Sequence, residues 1–129
     1  MPTSHAVIVR ARPEGYWENS GVTIRNGDHV IVKYVSGSWC SNPNWNTSDA
    51  AGNGSYIARG SYLKPGAPEG ALIGKVGGNN SGGGSEAFLI GNLASVPNGL
   101  EGTLWLSVND EPAGFGDNTG SITVQITIG

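Results

Sequence analysis

The clearest pattern in the sequence is Ser121-Ile122-Thr123-Val124-Gln125-Ile126-Thr127-Ile128, in which polar and apolar residues alternate throughout. Side chains in a β-strand point alternately to opposite faces, so the four apolar side chains face one way and the polar ones face the other. This alternation is typical of an antiparallel strand with one face in the core and one in water. The stretch therefore predicts a strand and a mainly antiparallel fold.

Other stretches show the same strand character. Residues 103–108 place Leu104, Leu106 and Val108 on one face, and the run after Asn26-Gly27-Asp28 places Val30, Val32 and Tyr34 on one face. Weaker strand candidates are 6–10, 21–25, 71–76 and 86–90, and no window of about eleven residues favours an amphipathic helix. About seven short strands between turns rich in Gly, Asn and Pro predict an all-β fold, an antiparallel two-sheet β-sandwich or jelly roll.

Length and composition limit the classes of protein that this chain can belong to. Its 129 residues suit a single domain spanning 1–129. The net charge is −3 and the seven Lys and Arg residues are scattered singly, which disfavours nucleic acid as a partner. No run reaches the ~20 apolar residues that would insert into a membrane.

The start of the chain, Met1-Pro2-Thr3-Ser4-His5, lacks the basic region of a signal peptide, and the apolar stretch after it is short. We expect synthesis in the cytoplasm without a signal peptide, followed by release or association with the cell surface. The single cysteine, Cys40, excludes an internal disulfide framework and is typical of a small buried residue.

Two segments interrupt the strand pattern. Residues 36–70 form a long segment rich in Gly, Asn and Ser, and a segment of this length is usually functional or contains additional strands. It carries four aromatic residues, which predict either a surface for stacking sugar rings or core and lid packing: Trp39, Trp45, Tyr56 and Tyr62. Residues 77–85 are mostly Gly, Asn and Ser and are interpreted as a flexible hairpin tip.

Function is predicted to lie in the loop Asn109-Asp110-Glu111-Pro112-Ala113-Gly114-Phe115-Gly116-Asp117-Asn118-Thr119-Gly120. It combines carboxylates, side-chain amides and turn-forming glycines between the two best strands. Such oxygens suit Ca²⁺, which takes six to eight oxygen ligands, although the spacing is not that of an EF-hand. A Pro/Gly-rich turn can bring Asp110 back towards Asp117 and Asn118; a structural metal site or a simple turn is the alternative.

Catalysis finds little support, so the chain is expected not to be an enzyme. It contains neither G-x-S-x-G nor H-E-x-x-H, and its two histidines, His5 and His29, are interpreted as solvated or structural. The glutamates lie in separate turns and strands. A pair of carboxylates as in a glycoside hydrolase is kept as a lesser alternative, because spatial separation does not show in sequence spacing.

The loop 109–120 resembles that of the PA-IL-like galactophilic lectins, bacterial β-sandwich proteins that bind galactosides through calcium and read close to N-D-V-P-G-T-[YF]-G-[ND]-N-S-G there. The resemblance extends more weakly to 26–28, 70–72 with Lys75, and 96–97. It implies a galactose-binding-like sandwich and a calcium-dependent carbohydrate-binding lectin. It also implies a galactoside partner and assembly into a homo-oligomer, a tetramer or a dimer.

The resemblance also implies a set of site residues. The Ca²⁺ ligands would be Asp110, Asp117 and Asn118 through side chains and Gly114 through its carbonyl; a further carbonyl would come from Ser41 or Asn42, with Asn42 preferred. Two vicinal sugar hydroxyls would complete the metal shell and donate hydrogen bonds to Asp110 and Asp117. The sugar-binding set further includes Glu111, Asn53, Tyr56 and Asp49.

The chain departs from the family pattern in its long loop, where the family has His and Gln on the sugar. Asn53 and Tyr56 fall near those places, and Glu111 replaces an apolar residue beside the metal. A structural sandwich with a calcium-rigidified loop remains the alternative function.

Overall fold

The structure is a computed structural model that describes residues 3–129. Met1 and Pro2, which belong to the segment considered above for a signal peptide, lie outside the described residues. Residues 3–129 form ten strands and one short 3₁₀ helix, Pro112–Asp117. The strands are β1 Thr3–Arg10, β2 Glu18–Ile24, β3 Val30–Cys40, β4 Asn53–Ile57, β5 Pro68–Glu69, β6 Leu72–Val76, β7 Phe88–Leu89, β8 Leu93–Ser95, β9 Gly102–Val108 and β10 Thr119–Ile128.

These strands form two four-stranded antiparallel sheets and one small two-stranded sheet. The first sheet has the order β1-β10-β3-β8 and the second has the order β2-β9-β6-β7. Strands β4 and β5 pair separately. The predicted all-β, antiparallel sandwich is therefore confirmed, and within residues 3–129 no helix is long and apolar enough to cross a membrane.

The core consists of the apolar faces that the alternation predicted. Ile122, Val124 and Ile126 are at most 1% exposed, and the inward residues of β9 are fully buried. Trp39 is also fully buried, and its indole nitrogen donates to the carbonyl of Gly70 at 2.8 Å. This tryptophan is therefore a core residue, as one of the two interpretations of the long segment expected. Burial of these aromatic and aliphatic side chains is the main stabilising contribution.

The Gly-rich segment 77–85 connects β6 to β7 and folds back over the second sheet. Lys75 is 2% exposed and its Nζ donates to the carbonyls of Asn79 at 2.8 Å and Gly83 at 3.1 Å. The same Nζ lies 4.9 Å from the ring centre of Trp17. Backbone carbonyls and an aromatic face thus stabilise a buried ammonium, which explains why this segment is placed on the sheet rather than extending from it.

The long segment 36–70 contains additional strands, as one of its two interpretations anticipated. Strand β3 continues to Cys40, and β4 and β5 form the small sheet inside the segment. Cys40 is 8% exposed, in agreement with the prediction of a buried residue. The segment therefore brings an extended end of the first sheet, the small sheet and the loop after β9 to the same end of the sandwich.

Candidate functional site

Asp110 follows the end of β9 after one residue, Asn109, and is 4% exposed. Its Oδ1 accepts a hydrogen bond from the backbone N–H of Glu111 at 2.8 Å, whereas its Oδ2 is buried without a partner among the described residues. Its carbonyl oxygen accepts from the N–H of Leu63 at 3.1 Å. The backbone is thus fixed on both sides while one carboxylate oxygen remains available.

Asn118 ends the same loop and is 3% exposed. Its Nδ2 donates to the carbonyl of Ala11 at 2.9 Å, and its Oδ1 is buried without a partner among residues 3–129. The side chain lies close enough to the Asp110 carboxyl to lower its pKa. Two unpartnered oxygens therefore come from the two ends of one loop, as the sequence predicted for a folded-back turn.

The electrostatics of the loop favour a bound cation. Burial, together with the negative charges of Glu69 and Asp117, raises the pKa of Asp110 to about 6, although the hydrogen bond from Glu111 opposes the rise. A carboxylate beside other carboxylates and away from water is destabilised in its charged form. A cation at this position would remove that penalty.

Asp117 and Gly114 lie in the 3₁₀ helix between Asp110 and Asn118. The side chain of Asp117 is exposed, so it can turn towards a ligand without losing a protein contact. Gly114 packs directly against Asp110, because a Cβ on this glycine would lie 3.3 Å from Oδ1 of the aspartate. The backbone of residue 114 therefore belongs to the surroundings of the Asp110 carboxylate, where the sequence placed a carbonyl ligand.

The donor set fits a hard cation such as Ca²⁺. It offers carboxylate and amide oxygens, two of them buried and unpartnered, and no sulfur or imidazole. No group of three His, Cys, Asp or Glu side chains in the described part of the chain converges closely enough to hold a metal alone. Amide and backbone oxygens are therefore needed for a complete shell, which is compatible with calcium and not with a Cys- or His-based zinc site.

Asn42 lies in a different arrangement from the one expected of a metal ligand. Its carbonyl accepts from the N–H of Trp45 at 2.9 Å and from Sγ of Cys40 at 2.7 Å. Both lone pairs of this oxygen therefore have partners within its own turn. Ser41, the alternative that the sequence left open, contacts Glu69 through its side chain.

A cavity of about 440 Å³ opens beside the end of β3. It adjoins the loop 109–120 through Gly70, whose N–H donates to the carbonyl of Asn109 at 2.8 Å, while Asp110, Asp117 and Asn118 do not line it. Its lining residues are Trp39, Cys40, Ser41, Asn44, Trp45, Asn46, Thr47, Ser48, Gly52, Asn53, Glu69 and Gly70. Such a cavity is large enough for part of a small ligand.

The predicted sugar-binding residues have different positions relative to this cavity. Asn53 lines it, and the Tyr56 ring lies beside it with its centre 5.4 Å from that of Trp45. The carboxylate of Asp49 instead accepts from the N–H of Ala51 at 2.8 Å, so it holds its own turn. Glu111 accepts from the hydroxyl of Ser61 at 2.7 Å, which links the loop after β9 to segment 36–70.

Sequence reasoning missed Glu69 as a site residue, and it considered Tyr62 only as one of four aromatic residues that could stack on a sugar. Glu69 is 4% exposed on β5 and its Oε1 accepts the hydroxyl hydrogen of Tyr62, while its Oε2 is buried and unpartnered within the described chain. Burial raises the pKa of Glu69, and the neighbouring hydroxyl groups of Tyr62 and Ser41 oppose that rise. Burial and the neighbouring carboxylate raise the pKa of Tyr62. No local motif marks either residue.

Asn109 explains how these distant residues meet. It is fully buried, its Oδ1 accepts from the N–H of Lys64 at 2.9 Å, and its Nδ2 donates to three carbonyls of 64–68. Its backbone carbonyl also accepts from the N–H of Gly70 at 2.8 Å. The amide is therefore occupied by the segment that carries Glu69 and is not free to bind a ligand.

The fold and the site define a class of protein, a two-sheet antiparallel β-sandwich with an oxygen-rich site between its last two strands. The family model described as PA-IL-like protein matches residues 9–129, and the chain therefore belongs to the PA-IL-like family. No curated protein matches it in sequence. Its structure is similar to that of the EclA N-terminal domain, a PllA-like lectin, with 22% identity, a TM-score of 0.67, and coverage of 96% of this chain and 95% of that one. At this identity the similarity establishes the fold.

Proposed function

We propose that this protein is a non-enzymatic, carbohydrate-binding lectin whose site in the loop 109–120 depends on Ca²⁺. Membership of the PA-IL-like family supports carbohydrate binding. The observation that carries the calcium part is the pair of buried, unpartnered oxygens, Oδ2 of Asp110 and Oδ1 of Asn118, in one acidic loop. Leaving such groups unsatisfied is costly, so the loop is built for a bound ligand.

The residues that would hold the ion are Asp110, Asp117 and Asn118 through side-chain oxygens and Gly114 through its carbonyl. One further carbonyl would come from Ser41, because both lone pairs of the Asn42 carbonyl already have partners. When bound, Ca²⁺ supplies coordination positions for two vicinal hydroxyls of a sugar. Asp110 and Asp117 would accept hydrogen bonds from those hydroxyls. Such charge-assisted bonds are stronger than neutral ones and orient the sugar ring.

Galactose or a related galactoside is the proposed ligand. The cavity beside the loop, with Trp45 and Asn53 in its lining, would receive the part of the glycan that extends beyond the diol. A single shallow site of this type binds with about −4 to −8 kcal/mol. Useful avidity then requires several sites, so a homo-oligomer, a dimer or a tetramer, is part of the proposal. Sedimentation equilibrium, which measures the mass of the assembly, tests this oligomeric state.

The experiment that tests this function is retention on galactose-coupled resin. Protein should be retained in calcium, should be eluted by EDTA, and should not be retained when Asp110 is replaced by Asn. Retention that persists in EDTA would contradict the calcium requirement. Binding of no glycan in calcium, combined with a Tm raised by calcium, would instead favour the structural alternative. Release of free sugar from a glycoside would favour an enzyme.

A further inference from the structure

The cavity beside the end of β3 contains one charged side chain among the residues that line it, Glu69. The rest of its lining is aromatic, small or polar and uncharged. One oxygen of Glu69 is occupied by the Tyr62 hydroxyl, and the other has no partner in the described chain although the residue is 4% exposed. A buried carboxylate oxygen without a donor is costly. Oε2 of Glu69 is therefore an acceptor without a hydrogen-bond donor, and a ligand in the cavity can supply that donor.

Within residues 3–129, no positive side chain forms an ion pair with Glu69. The ion pair present in residues 3–129 joins Arg10 to Glu18, and Glu69 takes no part in it. Burial is the main cause that raises the pKa of Glu69, and the charged side chain that adds to the rise, Glu111, is acidic. Glu69 in turn raises the pKa of Asp110. With Ca²⁺ bound, the charges of Asp110 and Asp117 would be offset, whereas those of Glu69 and Glu111 would remain.

Tyr62 fixes the direction in which Glu69 can accept. Its hydroxyl donates to Oε1, and its ring continues a row of aromatic rings, with centres 6.3 Å apart for Tyr56–Tyr62 and 5.4 Å apart for Trp45–Tyr56. The carboxylate is therefore held by a rigid aromatic wall, and Oε2 is the oxygen that is left over. A preorganised acceptor of this type loses little entropy when a ligand binds.

We propose that Glu69 is a specificity-determining residue, whose Oε2 accepts a hydrogen bond from a ligand group entering the cavity. An ammonium group is the best such donor, because it adds a charge–charge attraction to the hydrogen bond. The site therefore selects amino sugars with a free amine over neutral sugars, and it rejects sugars that carry a carboxylate. This inference rests on the proposed function, since it assumes a diol held at the neighbouring loop.

The test compares four monosaccharides by calorimetry at pH 7 in calcium: galactose, galactosamine, 6-amino-6-deoxygalactose and galacturonic acid. The two amino sugars carry the ammonium at C2 and at C6, respectively, and both retain the vicinal hydroxyls at C3 and C4. The wild-type protein should bind at least one of them about tenfold more tightly than galactose, and galacturonic acid more weakly than galactose. Glu69→Gln should reduce the amino-sugar preference to about twofold or less.

Matched variants separate this role from others. Glu101→Gln removes an exposed carboxylate and should retain the full preference. Tyr62→Phe removes the group that orients Glu69 and should give an intermediate preference. A calcium-induced rise in Tm that Glu69→Gln retains would show that the variant is folded and that the residue does not ligate the metal.

Three results would overturn the inference. An amino-sugar preference that is absent in the wild type, or unchanged in Glu69→Gln, means that Glu69 does not face the ligand. Loss of the calcium-induced rise in Tm in Glu69→Gln would make the residue a metal ligand instead. Failure of the proposed function looks different, because the wild-type protein would then bind none of the four sugars.

Discussion

The side-chain nitrogen of Asn118 donates a hydrogen bond to the carbonyl oxygen of Ala11 at 2.9 Å, across a sequence separation of 107 residues. This bond anchors the end of the loop 109–120 to the segment after β1 and leaves Oδ1 of the amide buried and unpartnered. One residue therefore stabilises the fold with one atom and offers a ligand with the other.

Replacement of Asn118 by Ala should separate these two roles. Loss of the bond to Ala11 should lower the free energy of unfolding of the calcium-free protein by about 1–3 kcal/mol, because the Ala11 carbonyl loses its donor. The stabilisation by calcium should fall as well. Urea denaturation with and without calcium measures both, with Asn98→Ala at an exposed position as the control. Equal stabilisation by calcium in wild type and Asn118→Ala would exclude Asn118 as a ligand.

Asp110 makes the stability of the calcium-free protein depend on pH. Its folded-state pKa of about 6 lies above its ordinary value of 3.8, so the folded state disfavours ionisation. The contribution of Asp110 to the free energy of unfolding is therefore greatest below about pH 4. It declines as the pH rises between the two pKa values and stays low above pH 6. The loss of stability between pH 4 and pH 6 corresponds to about 2–3 kcal/mol. Asp110→Asn should remove this decline.

The measurement is the urea midpoint of both proteins in EDTA at a series of pH values from 4 to 8. The urea midpoint of Asp110→Asn should exceed that of the wild type by an amount that grows with pH and levels off near pH 7. In calcium at neutral pH, the wild-type protein should instead have the higher urea midpoint, because its Asp110 carboxylate then has a cation beside it. A pH-independent difference between the two proteins would contradict this electrostatic account.

The strands could be predicted from the sequence because their signals are local. The alternation of Ile122, Val124 and Ile126 with polar residues depends only on neighbours in the chain, and these residues are buried as predicted. Asp110 and Asn118 could be singled out for the same reason, since both lie in one short loop with a recognisable family pattern.

The rest of the site could not be predicted, because it depends on contacts between distant segments. Glu69 and Tyr62 enter the site because the buried amide of Asn109 holds 64–68 against the start of the loop. Nothing in the residues around Glu69 indicates that it lies in a cavity. Lys75 is a similar case, since a lysine at an alternating position predicts an exposed side chain and not one covered by a Gly-rich segment.

Asn109→Ala should therefore be strongly destabilising although the residue touches no ligand. The change removes the donor for three carbonyls of 64–68 and the acceptor for the N–H of Lys64. Several buried groups lose partners, so the free energy of unfolding should fall by about 2–4 kcal/mol. Chemical denaturation in EDTA measures it, with the exposed Asn46→Ala as the matched control. A loss of under 1 kcal/mol would show that 64–68 is held by other contacts.

Lys75→Met tests whether the Gly-rich segment is independent of the site. The change removes the ammonium that bonds to Asn79 and Gly83, so amide hydrogen exchange in 77–85 should accelerate. The rise in Tm caused by calcium should remain as in wild type, because Lys75 lies on the second sheet and does not line the cavity. Loss of that rise would link the segment to the loop 109–120.

The central claim, that a sugar binds through calcium held by the loop 109–120, is tested most directly by calorimetric titration of methyl galactoside into one protein sample. The sample is measured with calcium, then with excess EDTA, and then after calcium is restored. The account predicts binding, loss of binding and recovery of binding in that order, with no binding by Asp110→Asn in any step. Equal heats of binding with and without calcium would contradict it.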